Sequence, residues 1–344
     1  MKIIIFAGGV GTRLWPLSRK QAPKQFEKIV GDKSTLQLAV DRLLPEFRLE
    51  DMYIATGTKY KTLVRSQLPG LPKENLILEP EMRDVGPAVG FAMTVLAKNH
   101  PDTPTAILWS DHFVKKERRF REVLTFAENL VQKQKEAIVF IGQRARFANQ
   151  NLGWIEFGDE VSSVRGTKIF RFKRLVYRPS LKEATRFLES GTFAWNPGYF
   201  VTTPRFLLSQ YEKHAPAIWQ GLSEIQKSVG ETHFQSTVQK VYPTLKKISF
   251  DNAVLEKLDP KHAYVIAADL GWSDVGAWEA LKEALDVSKI TSMTTSGILG
   301  TTSFSTGLGG EVNPFKDVSN IFTLPLTIGA GAFDTGTKTL TQGA

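Results

Sequence analysis

The chain has 344 residues, of which 42% are hydrophobic, and a formal net charge of +9 at pH 7. This size allows one large α/β core together with a small accessory domain. The chain contains no cysteine, and its five histidines lack metal-ligand spacing, which excludes disulfides, thiol catalysis and thiolate zinc sites. Any metal ion is therefore expected to bind oxygen ligands.

The charge and the apolar runs also bear on partners. The positive charge fits anionic substrates or nucleic acid, but no recognised nucleic-acid-binding module is present, and the basic run at residues 115–121 opens a predicted helix as a solvated face. No segment approaches the ~18 apolar residues of a membrane span, and the apolar N-terminal stretch lacks a signal-peptide cleavage context. We therefore expect a cytoplasmic protein without nucleic-acid or membrane partners.

Strands and helices alternate through residues 1–285, which predicts a parallel or mixed sheet covered by helices on both faces. The predicted strands cover residues 2–7, 52–56, 75–78, 105–109 and 137–143. The predicted helices cover residues 35–44, 59–67, 87–98 and 119–134. We expect residues 1–285 to form one domain.

The composition changes at the C-terminal end. In residues 290–344, 26 of 55 residues are Ser, Thr or Gly and only five are charged, yet apolar side chains recur at strand-like intervals. This pattern predicts a small β domain, with a partly disordered tail as the alternative.

The first predicted strand leads into a glycine turn at Gly8, Gly9 and Gly11. Glycine reaches positive φ without steric cost and lets phosphate or base approach the main chain. Arg13 and Lys24 follow, and their charges can neutralise a triphosphate. The segment therefore predicts a loop that binds a nucleoside triphosphate.

Two common phosphate loops do not fit this segment. A dinucleotide-binding loop needs a third glycine where Leu14 stands, and a Walker loop needs G-K-[ST] where Gly11 is followed by Thr12 and Arg13. Instead, AGGVGTRLWPLS followed by PKQF resembles the opening of sugar-1-phosphate nucleotidyltransferases, and the WPL and PKQF variants look like the mannose-1-phosphate guanylyltransferase branch. The resemblance covers about residues 1–285.

The resemblance implies an α/β, Rossmann-like fold, with a mixed, mostly parallel central sheet flanked by helices. It also implies that the C-terminal β domain is β-helical, although residues 290–344 match that pattern only loosely. The nucleotide-binding residues expected on this basis are Ala7, Gly8, Gly9, Gly11, Thr12, Arg13, Glu79, Arg83 and Gly86.

Glu79 ends a predicted strand, at the carboxyl edge where α/β sheets bind ligands. Guanine presents two donors, N1–H and the N2 amino group, so a carboxylate can accept both. We expect Glu79 to read guanine, with a capping or surface glutamate as the alternative. The family's P-x-R-N-T-A-P-A box is changed here, since Asp84, Val85 and Gly86 replace its Asn-Thr-Ala core.

Asp111 follows a predicted strand, and Asp274 lies in GWSDVGAW. Both match family positions whose carboxylates hold Mg²⁺, so the resemblance implies a metal site at these two residues. Repulsion between a sugar phosphate and a triphosphate must be neutralised, which assigns catalytic roles to Arg13, Lys24, Asp111 and Asp274. No enzyme nucleophile is required, because the sugar phosphate oxygen is already ionised.

The sugar site departs most from the family. Where relatives carry E-K-P, this chain has Tyr177-Arg178-Pro179, and a phenol accepts hydrogen bonds less well than a carboxylate. The sugar-phosphate-binding residues expected from the resemblance are Gly153, Tyr177, Arg178, Asn196 and Asp251.

The resemblance thus implies transfer of GMP from GTP to mannose 1-phosphate with Mg²⁺, giving GDP-mannose and pyrophosphate. Two alternatives stay open: another sugar 1-phosphate, because Tyr177 alters that pocket, and a catalytically weak nucleotide-binding regulatory subunit. The oligomeric state is also open, with a homodimer as one option.

Overall fold

The computed structural model describes residues 1–9, 23–29, 32–164 and 166–274, and the backbone of three short strands beyond them. The first eleven strands, in chain order, are β1 (Lys2–Phe6), β2 (Met52–Gly57), β3 (Leu76–Glu79), β4 (Thr105–Trp109), β5 (Phe113–Val114), β6 (Ile138–Arg144), β7 (Gly153–Val164), β8 (Thr167–Tyr177), β9 (Phe193–Thr202), β10 (Ala263–Ala268) and β11 (Trp272–Ser273). The α-helices are α1 (Thr35–Asp41), α2 (Lys61–Gln67), α3 (Val85–Ala97), α4 (Glu117–Lys133), α5 (Leu181–Ser190), α6 (Pro204–His214), α7 (Pro216–Ser228), α8 (Phe234–Val241) and α9 (Phe250–Ala253).

Nine strands form one sheet in the order β3-β2-β1-β4-β9-β6-β10-β8-β7, and β5 pairs with β11 separately. The pairs β3–β2, β2–β1, β1–β4 and β6–β10 are parallel, whereas β9 is antiparallel to both β4 and β6, and β8 is antiparallel to both β10 and β7. Within this sheet, seven strands therefore run in one direction. The expected mixed α/β fold is confirmed.

All five predicted strands and all four predicted helices are present, with ends that differ from the predictions by up to three residues. The β1 strand shows why the strands could be predicted from runs of apolar residues. Ile3 and Ile5 pack in one buried cluster, and Ile4 and Phe6 pack in the other, on the opposite face of the sheet. A strand that is buried on both faces reads as a continuous apolar run.

Parallel strands bring their carboxyl ends to one edge of the sheet. Phe6 of β1 lies beside Trp109 of β4, and Gly57 of β2 lies beside Glu79 of β3. The chain therefore leaves β1, β3 and β4 at neighbouring places, where Gly8, Glu79 and Asp111 are close to one another in the fold. This edge positions the candidate site.

Beyond residue 274, β12 (Ser292–Thr295), β13 (Thr302–Ser305) and β14 (Leu326–Ile328) form a three-stranded antiparallel sheet. The division at residues 285 and 290, and the small β domain, stay predictions. In the described part of the chain, no helix is both long and apolar enough to cross a membrane.

Candidate active site

A pocket of about 280 Å³ opens at the carboxyl ends of β1, β3 and β4. Its walls include Gly8 and Gly9 from the β1 end, Glu79 and Arg83 around the β3 end, and Asp111 after β4. The structure thus gathers these five predicted residues around one cavity. Gly11, Thr12 and Arg13 lie outside the described residues, so their roles stay predictions.

Buried side chains hold the end of β1 in place. The Ala7 carbonyl accepts a 2.6 Å hydrogen bond from the Thr56 hydroxyl, and the Gln25 amide donates to the carbonyls of Ala7 at 3.2 Å and Gly9 at 2.8 Å. Gln25 is only 2% exposed. It was not predicted as a site residue, although it stands in the PKQF segment that carried the resemblance.

Lys24 joins two of the other predicted catalytic residues. Its ammonium lies 2.8 Å from Asp111 Oδ2 and donates to the Asp274 carbonyl at 3.2 Å. Lys24 is nearly buried, whereas the Asp111 side chain is 31% exposed. Lys24, Asp111 and the Asp274 backbone therefore meet beside this first pocket.

Opposing effects act on the Asp111 carboxyl. Burial raises its pKa, but the charge and the hydrogen bond of Lys24 oppose burial, and the pKa is lowered. His112 packs against Tyr199 and Trp272, and its partial burial lowers the pKa of its imidazole. Asp111 is therefore ionised at neutral pH beside an uncharged imidazole.

The donor set near Lys24 fits a hard cation. A carboxylate oxygen of Asp111 and a carbonyl oxygen of Asp274 already contact one ammonium group. Mg²⁺ prefers such oxygen ligands and is commonly held by one or two carboxylates plus substrate phosphates. Residues 1–274, apart from their undescribed gaps, contain no cluster of three or more His, Asp or Glu that would hold a metal without substrate.

Glu79 is buried at the floor of the pocket and is only 8% exposed. Its Oε2 atom accepts a 2.6 Å hydrogen bond from the Tyr242 hydroxyl. Burial raises the pKa of Glu79 to about 6, although the hydrogen bond from Tyr242 opposes this shift. The carboxylate is therefore mostly ionised at pH 7 and becomes protonated in mild acid.

Of the two predicted nucleotide-binding residues that follow β3, Arg83 lines the pocket and Gly86 does not. Arg83 lines the pocket, donates to Glu81 at 2.9 Å and keeps a buried Nε atom with no partner among the described residues. Gly86 is not among the residues that line the pocket, and its N–H donates to the Ile248 carbonyl while its own carbonyl accepts from Tyr211. A nucleotide contact by Gly86 stays a prediction.

A second pocket, of about 140 Å³, adjoins the first. Gly153, Tyr177, Asn196 and Asp251 all line it, and it shares Val85 and Trp109 with the first pocket. The sheet register explains this grouping, because Gly153 of β7 lies beside both Tyr177 of β8 and Asn196 of β9. Four of the five predicted sugar residues thus share one cavity.

The polar side chains of this second pocket differ in how firmly their neighbours hold them and in how exposed they are. Asn196 Oδ1 accepts from the Gly198 N–H at 2.9 Å, which orients its amide group. Tyr177 is 46% exposed, and the Arg178 guanidinium stacks 5.2 Å from its ring. Burial raises the pKa of Asp251. Arg178 itself is not among the residues that line the cavity.

Trp109 is a site residue that the sequence reasoning missed. Its ring forms part of both pockets and packs 5.1 Å from Phe6, and its Nε1–H donates to the Gly198 carbonyl at 3.1 Å. Gly198 has φ +75, and a Cβ there would lie 2.6 Å from Trp109 Nε1. A tryptophan at the end of a buried strand, two residues before Asp111, was the available signal.

This geometry, in which two glycines and a buried carboxylate line one pocket beside a second polar pocket, has its counterpart in known proteins. The model of the nucleotidyl transferase family matches residues 2–289. The chain therefore belongs to the nucleotidyl transferase family.

Within this family, the chain is similar to individual proteins of known name. The chain is 32% identical over 291 residues to a mannose-1-phosphate guanylyltransferase of Escherichia coli, covering 81% of this chain and 60% of that protein. It is 32% identical over 295 residues to the xanthan biosynthesis protein XanB of Xanthomonas campestris pv. campestris strain B100, covering 83% and 59%. The chain thus spans about 60% of the length of these relatives.

A solved structure from Thermus thermophilus, described as a mannose-1-phosphate geranyltransferase, is similar with a TM-score of 0.72. The two chains are 28% identical, and the match covers 84% of this chain and 80% of the other.

Proposed function

We propose that this chain transfers GMP from GTP to mannose 1-phosphate, giving GDP-mannose and pyrophosphate. The observation that carries the proposal is the pair of adjoining pockets. One is lined by the glycine turn and Glu79, the other by Asn196 and its neighbours, and Val85 and Trp109 belong to both. A nucleotide and a sugar 1-phosphate bound there would have their phosphates at the shared wall.

Each pocket supplies a distinct function. In the first, the turn at Gly8 and Gly9 allows close approach of the nucleotide, and Glu79 accepts hydrogen bonds from guanine. In the second, the Asn196 amide and the Asp251 carboxyl contact sugar hydroxyls. Both are recognition functions, since they bind and orient the reactants.

Lys24 acts where the phosphates meet. Its ammonium, fixed by Asp111 and the Asp274 carbonyl, neutralises negative charge as the sugar phosphate oxygen attacks the α-phosphorus in line and pyrophosphate leaves. Arg13 is proposed to contribute a second cation. Positioning and charge neutralisation suffice, because the attacking oxygen is already ionised.

Asp111 and Asp274 are the residues proposed to hold Mg²⁺. When bound, this ion supplies further charge neutralisation to the phosphates of the two substrates. Asp111 is suited to this role because it stays ionised and about a third of its side chain is exposed.

A second candidate substrate is another sugar 1-phosphate. The half-exposed Tyr177 favours it, because a phenol replaces the carboxylate that relatives use for sugar hydroxyls.

The proposal is tested with the purified chain, Mg²⁺, a set of nucleoside triphosphates and a panel of sugar 1-phosphates, with pyrophosphate release as the readout. We expect the highest kcat/KM for GTP with mannose 1-phosphate. A higher value with another sugar would refute the mannose assignment, and pyrophosphate release with no pair would refute the proposed activity.

A further inference from the structure

Tyr242 lies below the nucleotide pocket, directly after α8, in a short 3-10 helix (Tyr242–Thr244). It is fully buried, and its ring packs 5.1 Å from Phe91 of α3. Burial and the neighbouring Glu79 raise the pKa of its hydroxyl, so it remains a hydrogen-bond donor at every physiological pH. It is not among the residues that line the pocket.

The hydrogen bond from Tyr242 fixes one side of the Glu79 carboxylate. The Tyr242 hydroxyl donates to Oε2 at 2.6 Å, a length typical of a charge-assisted bond. The other oxygen, Oε1, faces Gly8, since a methyl group added at Gly8 would lie 3.9 Å from it. The Tyr242 hydroxyl thus holds Oε2 of the carboxylate, while Oε1 lies on the side of the pocket.

We propose that Tyr242 is a positioning residue that sets the orientation of Glu79 and thereby the preference for guanine. The inference rests on the proposed function, in which Glu79 reads the N1–H and the 2-amino group of the base. A carboxylate accepts two donors of a planar base only if its plane is held in the plane of the base. Tyr242 supplies that restraint through a contact that the base does not displace.

Tyr242 also affects the charge of Glu79. Its hydrogen bond lowers the pKa of the carboxyl, against the larger effect of burial. The other charged groups near the pocket are Arg83, which pairs with Glu81, Asp84, which caps α3, and Asp111, which pairs with Lys24. Without the Tyr242 hydroxyl, the pKa of Glu79 would rise further, and more of it would be protonated at pH 7.

The test compares Tyr242→Phe with Tyr211→Phe. Tyr211 is an equally buried tyrosine whose hydroxyl donates to the Gly86 carbonyl and not to a carboxylate. The readouts are kcat/KM for GTP and for ITP, which lacks the 2-amino group, measured from pH 5 to pH 8.

For Tyr242→Phe we expect the ratio of GTP to ITP efficiency to fall about 5- to 10-fold, mainly through KM. We also expect the acid limb of kcat/KM for GTP to move to higher pH, because ionised Glu79 is needed and its pKa rises. Tyr211→Phe should leave the ratio and the limb unchanged, even where it lowers stability.

Equal ratios and equal acid limbs in Tyr242→Phe and wild type would overturn the inference. A wild-type enzyme that does not prefer GTP over ATP would instead overturn the proposed function, which separates the two failures. Should Tyr242→Phe fold too weakly for kinetics, equilibrium binding of GDP and IDP to wild type decides. The preference for GDP over IDP should decrease as the pH falls through about 6, because Glu79 becomes protonated. A preference that does not depend on pH would show that the Glu79 carboxylate does not read the base, and it would overturn the inference.

Discussion

Replacing Lys24 by Met tests the ion pair with Asp111 beside the first pocket. Methionine keeps much of the length and volume of the lysine stem but removes the ammonium. The change eliminates the 2.8 Å ion pair with Asp111 and the 3.2 Å hydrogen bond to the Asp274 carbonyl. It leaves the glycine turn and Glu79 in place.

We expect Lys24→Met to lose most of its activity but only a small part of its folding stability. Asp111 is about a third exposed, so water partly solvates the carboxylate left unpaired, and the free energy of unfolding should fall by about 1–2 kcal/mol. A fixed donor that meets charge developing in a transition state is worth about 10²- to 10³-fold in kcat. The variant should therefore be folded and nearly inactive.

The assay measures pyrophosphate release at saturating substrate, with circular dichroism to establish folding. Lys33→Met is the matched control, because Lys33 forms a 2.6 Å ion pair with Asp41 on the surface, where the lysine side chain is 58% exposed. It should retain wild-type kcat. A Lys24→Met protein with kcat within about threefold of wild type would refute the role of Lys24.

Three further predictions concern other parts of the site. Glu79→Gln should lower the preference for GTP over ATP by about 10-fold, because its NH₂ group would face guanine donors; an unchanged ratio would mean that the base is read elsewhere. Tyr177→Glu should lower KM for mannose 1-phosphate by about 10-fold, whereas a fall in activity would make Tyr177 itself a recognition residue. Gly86→Ala should lower the free energy of unfolding in urea by about 1–3 kcal/mol, because the added Cβ would lie 2.7 Å from the Ile248 carbonyl oxygen. Gly9→Ala is the control, since a Cβ there would meet nothing within 4 Å. Equal stability of the two variants would contradict the packing argument.

The local elements of the fold were readable from the sequence because their signals are local. The apolar run of β1 predicted a buried strand, which is present at Lys2–Phe6, whereas the glycine turn predicted after it extends beyond the described residues and stays a prediction. The insertion of antiparallel β9 between β4 and β6 had no such signal. Strand order depends on contacts between segments far apart in the chain.

The same distinction applies to the site. Lys24 and Asp111 were predicted from separate motifs, but their ion pair joins residues 87 positions apart and emerges only from the fold. Tyr242 and Trp109 were missed because an isolated aromatic residue in an apolar context reads as core. Tyr242 is core by burial and is distinguished only by the carboxylate that its hydroxyl contacts.

The central claim is that one nucleotide sugar spans both pockets, and calorimetric binding of GDP-mannose and GDP tests it most directly. Wild type should bind GDP-mannose more tightly than GDP. Asn196→Ala should weaken GDP-mannose binding by about 5- to 10-fold and change GDP binding less than about twofold, because Asn196 lines only the second pocket. Equal affinity of wild type for the two ligands, or equal weakening of both by Asn196→Ala, would contradict the two-pocket site.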